Sequence, residues 1–466
     1  MTTIQRWALC RVSGAHRLGA MLRVASPAAL RAGIAREGLY VTIGLALSAV
    51  FTVAATRVIT EFLPTGVFGQ VSLVLATLTL LQGSLLSPIL GAQLRFYPEA
   101  RDDGHVRGLH LTLLRMLAVT ALPAIALTIV LAVAWPIPHD RRALSQLVLI
   151  GWAWLAAATA IGSIKNLFNA ERLQGPLATI SVLESIAKPG LAIALVVALG
   201  ATALPYIGGQ ATGVSLVALG AAYWWVRSVG RGVRAGNQKK SSQLDTDVLR
   251  RRLWKYAFPL VPIAAIQWII HLGDRYLLGY FHGTEALGIY AAAYSLTSHP
   301  FLMLAGAATL LFRPYLFDAA SQHLGADMVH QRQRWLAFTI VIGLLGWVAL
   351  VVLKRPIGSI LLAQEYRAGI SIFPVVGAGY MTLAIGSAYE NWLLALKRTR
   401  AVLGCYLVAM VVSVVLALLL IPAFSVNGAA WATLLGLGAY TATCAFVARN
   451  VGATASGTRS GDSNQR

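Results

Sequence analysis

Long apolar runs separated by short polar or basic stretches make up most of the chain. They fall near 39–60, 67–92, 111–135, 146–165, 177–199, 202–226, 256–280, 287–312, 335–353, 370–394, 401–422 and 428–448. Each is about 19 to 26 residues, enough to cross the hydrocarbon layer as a helix. The pattern predicts an all-α integral membrane protein with twelve transmembrane helices. Starts in the second half follow those in the first by 217, 220, 224, 224, 224 and 226 positions, a near-constant period over six consecutive elements. Because six crossings return the chain to its starting side, the prediction is two six-helix lobes forming a parallel repeat. Local sequence repeats too: at an offset of 219, Phe62, Thr65 and Gly69 fall on Phe281, Thr284 and Gly288.

This pattern divides the chain into a basic N-terminal segment (1–38), an N-terminal lobe (39–226), a basic linker ending in a short amphipathic helix (227–255), a C-terminal lobe (256–448) and a disordered tail (449–466). The first thirty-eight residues carry six arginines and no apolar core of signal-peptide length. They read either as an interfacial basic segment or as sequence ahead of a start at Met21.

Composition agrees, with 57% apolar and 12% charged residues, too apolar for a soluble domain of this size. A net charge of +21 would suggest nucleic acid in a soluble protein, but its distribution argues otherwise. Thirty lysines and arginines fall on one set of loops and five on the other, with Arg57, Lys188 and Arg275 in or at the edge of spans. The positive-inside rule then places both termini in the cytoplasm, and no nucleic-acid partner is expected; the linker bases offer contact with membrane lipid. Cys10, Cys405 and Cys444 form no spaced set, so neither disulfide framework nor metal site is indicated. No cofactor is expected, and coupling to H+ or Na+ is left open.

Charge inside a span is costly and is kept where it lines a cavity or meets a partner. In the seventh helix Gln267, His271, Asp274 and Arg275 fall at i, i+4, i+7 and i+8, one polar stripe on an apolar segment. Adjacent residues on a helix do not face each other, so Asp274 and Arg275 are expected to have separate partners. A snorkelling Arg275 paired with Asp274 is the structural alternative. Arg57 closes the first helix, near enough to the span's end to snorkel. Glu184 and Lys188, four apart in the fifth helix, suit an intrahelical pair as well as a substrate role. Glu390, near the cytoplasmic end of the tenth helix, and Glu184 are the coupling candidates. No hydrolase elbow, zinc pair or phosphate loop occurs in its required context, so no catalytic or metal-ligating residue is assigned and the chain is not read as an enzyme.

The first-helix ending Thr56-Arg57 followed by Leu63-Pro64-Thr65-Gly66-Val67-Phe68-Gly69, and Gly273-Asp274-Arg275-Tyr276-Leu277-Leu278 followed by Leu287-Gly288-Ile289-Tyr290, resemble the Wzx-type polysaccharide flippases. These belong to a superfamily that also holds multidrug and toxin extruders and lipid II flippases. The resemblance spans about Glu37 to Ala448. It implies a multi-pass bacterial inner-membrane protein that moves a polyprenyl-diphosphate-linked oligosaccharide for surface polysaccharide biosynthesis by alternating access, alongside a polysaccharide polymerase and chain-length regulator. It also implies Arg57 and Arg275 as phosphate ligands, with Arg95 and Lys188 in support. A drug or cation antiporter of the same fold is the alternative. Three acids against three bases in the spans tilt the choice toward an anionic substrate. A membrane polymerase or glycosyltransferase is a further alternative, disfavoured by short outer loops.

Overall fold

The computed structural model describes residues 27–134, 141–230, 246–322 and 325–462. Among them the chain is helical: α1 (Pro27–Phe62), α2 (Thr65–Leu80), a π-turn (Leu81–Leu86), α3 (Ser87–Asp102), α4 (Val106–Ala134), α5 (Arg141–Ala170), α6 (Gln174–Leu199) and α7 (Ala203–Trp225), then α8 (Thr246–Ala257), α9 (Leu260–Ser321), α10 (Gly325–Leu361), α11 (Phe373–Ala395) and α12 (Thr399–Asp462). Eight helical stretches of the described chain are long and apolar enough to cross a membrane. Two of them are broken internally. α9 turns at Gly283, whose φ of 80° and ψ of 178° belong to glycine, and α12 turns at Ser425. The α9 break falls between the apolar runs 256–280 and 287–312.

The residues fall into two compact units, one of Met1–Ala55 with Thr77–Val261, the other of Thr56–Ala76 with Pro262–Arg466. The boundary drawn from sequence put Thr56–Ala76 in the N-terminal lobe, but its packing groups it with the second unit. The Tyr366 hydroxyl donates to the Leu63 carbonyl at 2.7 Å, Trp268 Nε1 to the Ala76 carbonyl at 2.9 Å, and the Ala363 amide to Thr60 Oγ1 at 3.2 Å. The decisive approach is between α2 and α9. A Cβ on Gly69 would stand 1.9 Å from the Thr284 carbonyl oxygen, and a Cβ on Gly288 1.9 Å from that of Thr65. No residue but glycine lets the backbones meet there.

In the first unit α8 is not a free linker. Leu249, Leu253 and Ala257 are buried with Ile89, Tyr97 and Leu109 of α3 and α4, while Arg252 grips both oxygens of Glu99 at 3.0 and 3.3 Å. The expected amphipathic helix is therefore present and seated. It ends at Phe258-Pro259, so α9 begins at Leu260 rather than 256. The expected tail also differs: α12 stays helical to Asp462, because no proline follows Pro422 and each added residue extends an existing ladder. Residues 1–26 of the N-terminal segment, 231–245 of the linker and the last four of the tail lie outside the described residues.

Candidate functional site

The stripe on α9 is satisfied in separate pieces, all within the second unit. Beyond the Gly283 turn the second half of α9 folds back, and the Tyr290 hydroxyl donates a short hydrogen bond to Asp274 Oδ2. Thr433 of α12 donates to the same oxygen at 3.2 Å. Asp274 is 8% exposed, and a carboxylate so buried needs such donors. Its other oxygen, Oδ1, accepts no hydrogen bond from a side chain. Asp274 lines a cavity of about 220 Å³ together with Ile270, Gly273, Ser413 and Thr433, and the Ser413 hydroxyl is unpartnered as well.

Arg275 turns elsewhere, as the i, i+1 spacing predicts. Its Nη1 donates to Ser72 Oγ of α2 at 2.8 Å, and its guanidinium lies 5.4 Å from the Tyr294 ring centre. Nε is buried without a partner. Among the described residues no carboxylate forms an ion pair with it. A guanidinium offers five donors in a planar fork, and here a hydroxyl and an aromatic face leave most of that capacity unused.

His271 stacks on Tyr380, its Nδ1 3.2 Å from the hydroxyl. Tyr380 is hydrogen-bonded to Tyr294, which donates to the His271 carbonyl at 2.9 Å. Gln267 meets Tyr406, and Glu390 accepts from Tyr406 at 3.0 Å and Tyr440 at 2.6 Å. Gln267 and Glu390 thus share one tyrosine cluster. Both oxygens of Glu390 are occupied, which leaves this coupling candidate less open than Asp274.

The other expected residues make contacts of their own. Arg57 forms an ion pair with Glu61 one turn on, with side-chain exposures of 34% and 49%, so its charge is already matched. Arg95 is exposed and lies 6.0 Å from the Tyr256 ring centre. Lys188 and Glu184 are paired in the first unit, and Glu184 also accepts from Lys165 of α5 at 2.6 Å. Sequence reasoning missed Ser72, Tyr290, Tyr294, Tyr380, Thr433 and Lys165. Tyr290 and Tyr294, four apart in an apolar run, were the readable signal, because a buried tyrosine hydroxyl seeks a partner.

Three comparisons bear on this arrangement. Residues 34–320 match the model of a family described as polysaccharide biosynthesis protein. Among solved structures, a multidrug resistance MATE family transporter of the MOP superfamily in an inward-facing conformation superposes with a TM-score of 0.67 at 15% identity. That match covers 87% of this chain and 95% of the other. The lipid II flippase MurJ in an inward closed conformation gives 0.65 at 14%, covering 88% and 87%. A mutant form of the Vibrio cholerae MATE transporter VcmN gives 0.57 at 14%, covering 89% and 95%. At such identities the likeness is one of fold. No match is found among curated proteins.

Proposed function

The chain belongs to the polysaccharide biosynthesis protein family, and from that premise we propose that it is a flippase for a polyprenyl-diphosphate-linked oligosaccharide. In this reading twelve helices in two six-helix lobes carry the substrate from the cytoplasmic to the outer leaflet of the inner membrane by alternating access. No covalent step is involved. The observation that carries it is Arg275, a cation within a membrane-length helix with no described carboxylate partner and an unpartnered Nε. Such a group supports an anionic ligand, and a guanidinium matches phosphate oxygens bidentately. Polymerase and chain-length regulator are the partners this role calls for. The direct test removes the protein and identifies the lipid-linked glycan that accumulates in the cytoplasmic leaflet; unchanged leaflet distribution of every such glycan would refute the role.

Coupling is assigned to Asp274, because it lines the cavity and its Oδ1 accepts no side-chain hydrogen bond, whereas Glu390 and Glu184 each have both oxygens engaged by side chains. Asp274→Asn keeps the Tyr290 and Thr433 contacts in shape but removes the charge. It is expected to abolish ion-driven accumulation while exchange of bound substrate persists, as measured in proteoliposomes with and without an imposed H+ or Na+ gradient. Full gradient-driven transport by this variant would sink the assignment. The same buried acid favours a cation antiporter as the second reading. Substrate charge separates the two.

Topology is a further expectation. Reporters after Gly236 and at the tail should read cytoplasmic, and those at Pro138 and Gln364 external, since loop bases divide thirty to five. A cytoplasmic signal at Pro138 contradicts the arrangement.

A further inference from the structure

In the first unit, α5 and α6 place three charges together. Lys165 Nζ stands 2.6 Å from Glu184 Oε2, and Lys188, one turn beyond Glu184, pairs with Oε1. Two ammonium groups therefore share one carboxylate, and the cluster is left with one positive charge in excess. Side-chain exposures of 27%, 14% and 28% for Lys165, Glu184 and Lys188 show it half-buried rather than closed. Beside it, Trp154 is 5% exposed, its ring centre lies 5.9 Å from Lys188 Nζ, and its indole N–H has no acceptor. Donors exceed acceptors here. Each ammonium has three hydrogens to give, and one carboxylate with two oxygens cannot take them all.

A net charge held between membrane helices is retained where it faces water or a counterion. If Lys188 only neutralised Glu184 within its helix, Lys165 would be superfluous and costly. We infer that Lys165, Lys188 and Glu184 form an oxyanion subsite, with Glu184 spacing the two ammonium groups so that both present free hydrogens to one ligand. The inference deepens the flippase reading and rests on it, since the oxyanion would be a phosphate or a sugar carboxylate of the same substrate. Lysine, a point charge with rotatable donors, accommodates either.

Charge counting gives the test. Lys165→Gln makes the cluster neutral, whereas Lys165→Gln with Glu184→Gln restores one net positive charge through Lys188 alone. Binding of farnesyl diphosphate and of an oligoglucuronate is measured by calorimetry on the purified full chain, with the wild type as parent. Lys165→Gln should weaken at least one probe about tenfold, and the double change should return it to within about twofold of the parent. Lys165→Arg should bind as the parent does. Loss confined to farnesyl diphosphate identifies a phosphate, and loss confined to the oligoglucuronate a carboxylate. A purely structural triad predicts the reverse order, with the double variant as damaged as the single or worse, and that result would overturn the inference. So would a wild type that exports glycan yet binds neither probe. Should Lys165→Gln reduce membrane abundance, Lys188→Gln makes the same charge change from the other helix. Binding that follows the charge pattern in a protein whose loss redistributes no lipid-linked glycan would leave the subsite standing and remove the flippase role.

Discussion

Arg275→Ala is expected to abolish glycan export while leaving the protein in the membrane at its normal amount. Abundance should hold because no direct ion pair is broken and the buried carboxylate next to Arg275 remains hydrogen-bonded. Asp274 keeps its own donors, Tyr290 and Thr433, and the Ser72 hydroxyl that received Arg275 can turn to another acceptor. Breaking a buried pair costs on the order of 3–5 kcal/mol when it leaves an uncompensated charge, and the two donors to Asp274 keep the loss below that figure. Export should fail because the lost group supplies charge and a bidentate fork at once. Arg275→Lys restores the charge without the fork and should recover only part of the activity. Arg57→Ala should weaken export less, since Arg57 already spends its charge on Glu61. If Arg275 were instead the structural partner of Asp274, Arg275→Ala would lower membrane abundance and Asp274→Asn would rescue it. Export measured beside abundance decides, and normal export by a normally abundant Arg275→Ala protein eliminates the substrate role.

Replacing Gly288 with valine should have a comparably large effect, but on assembly. The added Cβ would lie 1.9 Å from the Thr65 carbonyl oxygen, with backbone rather than a flexible side chain in the way. Overpacking of even adaptable cores costs about 1–3 kcal/mol, and here a whole helix must shift. Gly69→Val meets the Thr284 carbonyl in the same fashion and should cost nearly the same. Thermal unfolding of the detergent-purified variants reads both, and wild-type stability in either would show that the helices do not cross this closely.

Periodicity and loop charge made the helical membrane class readable, because a spanning helix needs an apolar run of fixed length and leaves its bases outside. The separate partners of Asp274 and Arg275 were readable too, from helical geometry alone. Their identities were not. Ser72 lies 203 residues from Arg275 and Thr433 lies 159 from Asp274, and nothing in a local pattern reports so distant a pairing. Lys165 was counted among cytoplasmic loop bases because it ends an apolar run; only the packing of α5 against α6 shows it reaching Glu184. The grouping of Thr56–Ala76 with the second unit was hidden for a related reason. The repeated threonine and glycine were visible in the sequence, but a repeat does not say that its two copies touch each other.

That touching has a consequence of its own. At the crossing, Thr65 meets Gly288 and Thr284 meets Gly69, so position i of one copy meets position j of the other and j meets i. This reciprocity defines an isologous contact, the kind that closes a two-fold homodimer. Each glycine therefore answers to the backbone at the other position, and a side chain added at either one is felt by both helices of the seam.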